Sequence, residues 1–216
     1  MNPVINVNFD TFSSCSVDRM QPEIADAGCL VDIPNDDDDD DNNNDPPNDD
    51  DTLLSADFDS GRDGFTFEDD NTPGNAPFSS GRRVASGGVN GSGALEITLG
   101  GVNNATVTRM EANWTTSFSS SGSVTLSLDA NLTQSPHYER NEFSEIGVIL
   151  DGQLIVFARI RGNGNGGSNR STGFRSFSRN FNLSNGSHTL SLNCFNNRKT
   201  FGNESTTCRF DNVRIE

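Results

Sequence analysis

From Thr52 onward the chain is a series of short runs in which apolar and polar residues alternate, separated by Gly, Asn and Ser. Val124, Leu126 and Leu128 alternate with Thr125, Ser127 and Asp129, and Leu190 and Leu192 alternate with Ser191 and Asn193. Successive side chains of a strand point to opposite faces, so such runs describe strands with one buried and one wet face. The pattern predicts strands over 56–58, 65–68, 83–85, 94–99, 106–109, 112–118, 123–131, 145–150, 153–160, 175–183, 186–195 and 208–215. Helical periodicity is nearly absent. Asp151-Gly152 separates Gly147-Val148-Ile149-Leu150 from Gln153-Leu154-Ile155-Val156, the composition of a two-residue hairpin turn. Many short strands with turn signals between them predict an all-β fold, a two-sheet antiparallel β-sandwich with jelly-roll connections over 53–216.

The chain before that point has a different texture. Residues 36–51, DDDDDDNNNDPPNDDD, contain ten Asp and nothing apolar except two prolines. Such a stretch buries too little to offset the entropy of ordering it, which makes 36–52 a disordered Asp/Asn/Pro linker. Residues 1–35, with Pro3, Pro22 and Pro34, read as a loop-rich N-terminal segment too weakly apolar to build its own core. The linker also dominates the charge. The whole chain carries −16, but once the linker and 1–35 are set aside, 52–216 holds 16 acids against 14 bases. The acidity therefore says little about what the sandwich binds. A block of like charge is ordinarily a solvated spacer, the lesser alternative being calcium buffering or a mineral-binding strip. No run of apolar residues is long enough for a membrane-spanning helix, so no membrane insertion is expected. No basic patch or RNA-binding aromatic motif is present, so no nucleic-acid partner is expected.

Four cysteines occur as two pairs, Cys15 with Cys29 and Cys194 with Cys208. Neither pair has the close spacing of a zinc site, and His137 and His188 lie at no matching offset. Disulfides are the better fit. Cys194 ends one alternating run and Cys208 begins another, so on neighbouring antiparallel strands their sulfurs would face each other across the ladder. Disulfides belong to an oxidising compartment. Glycosylation sequons at Asn90, Asn104, Asn113, Asn131, Asn169, Asn182, Asn185 and Asn203 point the same way, to an extracellular, secreted or cell-surface protein. The first 14 residues lack the basic and apolar regions of a signal peptide, which is what an internal piece of a longer secreted chain would show.

DFDSGRDGF at 57–65, SVTLSLDANLTQ at 123–134, FSEIGVILDGQL at 143–154, and the ending GSHTLSL followed by RFDNVRI resemble galactose-binding-like jelly rolls of secreted carbohydrate-binding modules. The stretches NLTQSPHYERNEFSE, ARIRGNGNGG and NNRKTFGNEST are similar to an uncharacterised module of large extracellular multidomain proteins of marine bacteria. The resemblance covers about 55–216. It implies a non-catalytic sandwich that binds glycan or serves in adhesion as part of a multidomain chain. It also implies a structural Ca2+ between the first strand and the last. Asp57, Asp59, Asp63, Asp69, Asp70 and Asp211 are the oxygen ligands on offer there. The competing account is that these are turn residues, Asp beside Gly or Asn being ordinary turn chemistry.

Three polar segments, 131–142, 163–169 and 196–205, interrupt the apolar pattern. Were the first and third to share one end of the sandwich, Asn131, Gln134, Tyr138, Glu139, Glu142, Asn196, Asn197, Lys199 and Glu204 would form a ligand-binding cluster. The same residues would equally brace the loops against each other or hold a second metal ion. Trp114, alternating with Ala112 and Thr116, is expected in the core, which leaves Tyr138 as the candidate for stacking on a sugar. Two further functions stay open: a structural adhesion or matrix unit without glycan specificity, and a jelly-roll lyase or glycosidase. For the enzyme, His137, Tyr138, Glu139, Arg140, Glu142 and Glu145 are the inventory, with no nucleophile elbow and no HExxH motif to support it.

Overall fold

The structure is a computed structural model that describes residues 52–69, 78–164 and 166–216. They lie within one compact unit, Pro47–Glu216. Segment 1–35 with Cys15 and Cys29, the linker up to residue 51, and Asp70 lie outside the described residues. The elements are β1 (Leu54–Ala56), β2 (Thr66–Asp69), β3 (Ser79–Val84), a 3-10 turn (Val89–Gly91), β4 (Ala94–Gly100), β5 (Val107–Gln134), β6 (Phe143–Leu150), β7 (Gln153–Arg161), β8 (Arg170–Ser171), β9 (Arg175–Lys199) and β10 (Ser205–Ile215). No helix among them is long and apolar enough to cross a membrane.

All the pairings are antiparallel, and they run without a break in the order β3-β4-β10-β5-β9-β6-β7, with β1 on β10 and β2 and β8 on β5. Two long strands turn this path into a sandwich. The first part of β5, 107–120, pairs with the last part of β9, 186–199, and lies in a layer with β2, β6 and β7. The rest of β5, 122–134, pairs with 175–183 of β9 and with β10, in a layer with β3 and β4. The strands predicted separately over 106–109, 112–118 and 123–131 are thus one strand. Pairing with β9 carries it through two interruptions, one at Arg109 (φ 59°) and one between Ser120 and Gly122 (φ 83°). Likewise 175–183 and 186–195 are both parts of β9.

The alternating residues close on one core. Phe58, Leu95, Ile97, Leu99, Trp114, Leu126, Leu132, Ile146 and Phe210 are buried there. The Trp114 indole N–H donates to the Glu96 carbonyl, 3.2 Å away on β4, and so pins one layer to the other. Cys194 and Cys208 form a disulfide with their Cα atoms 5.8 Å apart. The expected pairing is present, but β9 and β10 are not neighbours in the hydrogen-bonded order. The bridge spans the two layers instead of one ladder.

The Asp151-Gly152 hairpin forms as predicted, both residues having positive φ (48° and 80°). Asp151 does more than turn the chain. Its Oδ1 accepts the Thr189 N–H at 2.9 Å and its Oδ2 lies 2.7 Å from His188 Nδ1, while His188 Nε2 lies 2.9 Å from the Ser184 carbonyl. Both ring nitrogens face acceptors, which suits the doubly protonated ring. The bond to Asp151, then that to Ser184, raises the His188 pKa. The bonds from Thr189 and then His188 lower that of Asp151. A raised histidine stabilises the fold fully below its unfolded pKa of about 6.5 and loses that contribution as pH rises through the folded value. The lowered Asp151 does the reverse, losing its contribution only in acid. Tm is therefore expected to fall by a few degrees as pH rises above about 6.5, and His188→Gln to flatten that limb in a series of thermal scans.

Candidate functional site

Two turns meet at one end of the sandwich. The 135–142 turn follows β5 and the 200–204 turn precedes β10; these strands pair with Gln134 opposite Thr206. The turns continue the contact, Ser135 N–H donating to the Ser205 carbonyl (2.9 Å) and Ser205 N–H to Ser135 Oγ (3.0 Å). Two glycines admit the close approach. A Cβ at Gly162 would stand 2.1 Å from the Glu139 carbonyl oxygen, and one at Gly100 (φ 78°) would stand 2.4 Å from that of Glu204.

The first and third polar segments therefore do share one end, but their side chains face inward. Gln134, Tyr138, Glu142, Asn196, Lys199 and Glu204 are all fully buried. The Tyr138 hydroxyl lies 3.0 Å from Thr206 Oγ1, which lies 2.6 Å from Ser144 Oγ. Gln134 Nε2 donates to Ser144 Oγ (2.9 Å) and the Ile160 carbonyl (3.2 Å). Asn196 Nδ2 donates to the Phe143 carbonyl and to Ser144 Oγ, both at 3.3 Å. Asn197 is half-buried and accepts the Phe143 N–H at 2.6 Å. Lys199 Nζ donates to the carbonyls of Asn103 (2.7 Å) and Ala105 (3.0 Å), capping a loop from within. Asn131 stands apart, its Oδ1 accepting Ser171 Oγ at 2.8 Å. A stacking platform must show its ring face to solvent, and Tyr138 shows none. Burial, reinforced by the charges of Glu204 and Glu142, raises its pKa, so it is a neutral phenol.

Glu139, Glu142 and Glu204 bring carboxylate oxygens within 4.8 Å of one another. Glu204 Oε2 accepts the N–H groups of Thr200 and Phe201, the latter at 2.9 Å, and its Oε1 accepts Thr200 Oγ1 at 3.3 Å. Glu139 Oε2 accepts the same hydroxyl at 3.1 Å. Glu142 Oε2 accepts the Glu139 N–H at 2.9 Å, whereas Glu142 Oε1 is buried without a donor. Burial, with the nearby Glu204 and Glu139 charges, raises Glu142 to about 7. Burial lowers Lys199 while Glu204 and Glu142 pull it back up. Gln134 Oε1 and Asn196 Oδ1 also lack donors, and their amide nitrogens are committed to carbonyls, which fixes which way each amide points.

The aspartates at the opposite ends of the sequence sit differently. Asp57 Oδ1 accepts the Asp59 N–H (3.0 Å), Asp59 Oδ1 that of Gly93 (2.6 Å) and Asp63 Oδ2 that of Phe58 (2.8 Å). Asp211, fully buried, accepts Val89 N–H (2.8 Å) and Ser92 Oγ (2.6 Å) on Oδ2 and the Asn212 N–H (2.7 Å) on Oδ1. Asp69 is in β2 opposite Ala112. The carboxylates of Asp57, Asp59, Asp63 and Asp211 organise turns, and among the described residues the group of three acidic side chains close enough to share an ion is the glutamate cluster.

A second polar row, in which Glu111, Asn113, Glu145, Ser191 and Asn193 are buried, lies where sequence analysis named only Glu145, in the enzyme inventory. Residues out of phase with Trp114, Leu192 and Ile146 point away from the core. On this outer face Asn193 Nδ2 donates to Glu111 Oε1 and Asn113 Oδ1, both at 2.8 Å, and Thr115 Oγ1 lies 2.9 Å from Ser191 Oγ and 3.1 Å from Glu68 Oε2. Arg159 pairs with Glu145 and lies 4.3 Å over the Phe143 ring. Leu154 and Val156, 50% and 42% exposed, follow on β7. Polar residues alternating with Leu190, Leu192 and Cys194 were the signal for this row. Asn113 is buried here, unlike the exposed sequons Asn90, Asn104, Asn169, Asn182, Asn185 and Asn203.

No family model and no curated protein matches the chain. Among solved structures, it is similar to the CBM22-1 xylan-binding domain of Paenibacillus barcinonensis Xyn10C, at 12% identity over 77% of this chain and 94% of that one, TM-score 0.40. It is also similar to TmCBM61, solved with β-1,4-galactotriose, at 10% identity over 70% and 87%, TM-score 0.38. A third similar structure is the K1 cleaved adhesin domain of Lys-gingipain from Porphyromonas gingivalis W83, at 14% identity over 76% and 96%, TM-score 0.42.

Proposed function

We propose that the sandwich is a non-catalytic glycan-recognition module of a secreted or cell-surface multidomain protein, stabilised by a structural calcium ion. The observation that carries this reading is the outer face of the layer built on β2, β5, β9, β6 and β7. There exposed Arg159, paired with Glu145 and lying over the Phe143 ring, stands on β7 with exposed Leu154 and Val156, while the hydrogen-bonded row of Asn193, Glu111 and Asn113 beside it is buried and stiffens the sheet. Sugars present hydroxyl edges beside apolar C–H faces, and a rigid surface offering both kinds of contact side by side suits them. With no exposed Trp or Tyr along it, the face suits one chain lying across the sheet better than a flat crystalline surface. The Cys194–Cys208 disulfide and the exposed sequons favour an oxidising, extracellular setting.

The test is a binding screen of the protein against plant, algal and bacterial polysaccharides, read by calorimetry or chemical-shift change. A soluble polysaccharide is expected to bind, and Arg159→Ala combined with Leu154→Ala to weaken it by roughly tenfold or more without changing Tm by more than a few degrees. Unaltered affinity in that variant would remove the outer face from the mechanism. A blank screen would favour the adhesion or matrix alternative.

A further inference from the structure

We infer that Glu139, Glu142 and Glu204 hold one calcium ion that clamps the 135–142 turn to the 200–204 turn. This gives the structural ion of the proposed module a place away from the aspartates, and it rests on no property of the outer face.

Four observations support it. The three carboxylates come from two turns that are distant in sequence, yet their oxygens converge within 4.8 Å of one another. Calcium bonds oxygen at about 2.3–2.6 Å, so its ligands can stand up to about 5 Å apart. Glu142, one of the three, is fully buried and its Oε1 has no hydrogen-bond donor. An unpaired buried carboxylate oxygen is costly unless a cation meets it. Charge points the same way. Lys199 is the ammonium group acting on Glu142 and Glu204, and the acidic groups of the cluster outnumber it, a deficit that a divalent ion closes. Calcium takes six to eight oxygens, and three carboxylates leave room for waters to complete the set. Every group on offer is an oxygen, with no thiolate or imidazole in the set, which selects a hard cation over zinc.

The experiment is thermal unfolding of the full chain with excess chelator, with millimolar Ca2+ and with millimolar Mg2+. Any cation taken up by the Asp run at 36–51, expected to be a linker, would be held alike by the folded and unfolded chain and leave Tm unchanged; a site made by the fold raises it. The expected result is a rise of about 5–10 °C in Ca2+ over chelator and a much smaller rise in Mg2+. Glu142→Gln and Glu204→Gln are each expected to abolish the calcium shift, and Glu142→Gln in chelator to be at least as stable as the parent because it removes a buried charge. If a buried variant fails to fold, Glu139→Gln, at a half-buried position, is expected to reduce the shift in a folded protein. No shift in the parent protein, an equal shift with Mg2+, or a calcium shift that persists in the Gln variants would overturn the assignment. A blank glycan screen would leave this outcome untouched.

Discussion

Replacing Trp114 with alanine is expected to lower the unfolding free energy by about 3–5 kcal/mol, the largest loss from any single side chain in the core. The ring is fully buried, lies 5.3 Å from Phe67 across the β2–β5 pair, and is capped by Arg62 at 5.2 Å. Its N–H is the hydrogen bond that joins β5 to the Glu96 carbonyl in the other layer. Truncation therefore opens a cavity at the centre of the sandwich and removes a buried donor at once. Trp114→Phe keeps most of the volume and should lose clearly less. Guanidinium titration at unchanged m-value measures both. A loss below about 1 kcal/mol for the alanine variant would mean that Trp114 does not pin the layers.

Removing the Cys194–Cys208 bridge by double substitution to alanine is expected to cost about 3 kcal/mol. That figure follows from a closed loop of 14 residues' separation restricting the unfolded chain. Both sulfurs are fully buried between the layers, so access is a second, separate readout. In native buffer a reductant should release no titratable thiol on the timescale on which it does so in denaturant, because exposure requires the layers to part. Rapid reduction in native buffer would place the bridge at a mobile edge.

Period-two alternation made the strands legible, and the alternation of Ala112, Trp114 and Thr116 placed Trp114 in the core. The disulfide partners were legible too, but for a different reason than ladder adjacency. Pairing order in a sandwich depends on which strands cross between layers, and no local pattern records that. The merging of predicted strands into β5 and β9 has the same origin, since a partner strand keeps pairing where the sequence turns to Ser and Gly.

The candidate site was legible as a meeting of two loops and illegible as to which way the side chains point. A loop has no period to show its buried face. Tyr138, flanked by His137, Glu139 and Arg140, looks exposed in sequence, yet its ring fills the space beneath Thr206 and Ser144. Glu142 and Glu204 are buried where the two turns pack, with Gly162 against the Glu139 carbonyl and Gly100 against that of Glu204, a tertiary fact with no local signature. The aspartates at 57–63 were ambiguous for a related reason. The carboxylate that caps a turn and the one that ligates a metal have the same sequence context.

Because β5 and β9 each serve in both layers, the sandwich has no seam between its halves. Val107 must find Lys199 and Ala130 must find Arg175 along the same ladder, and neither half of that ladder has a complete core until the other has formed. Most of the chain between them must be ordered before these long-range pairs stabilise anything. The sandwich is therefore expected to assemble slowly and in one cooperative step. A chain interrupted within β9 would lose both layers together instead of retaining one.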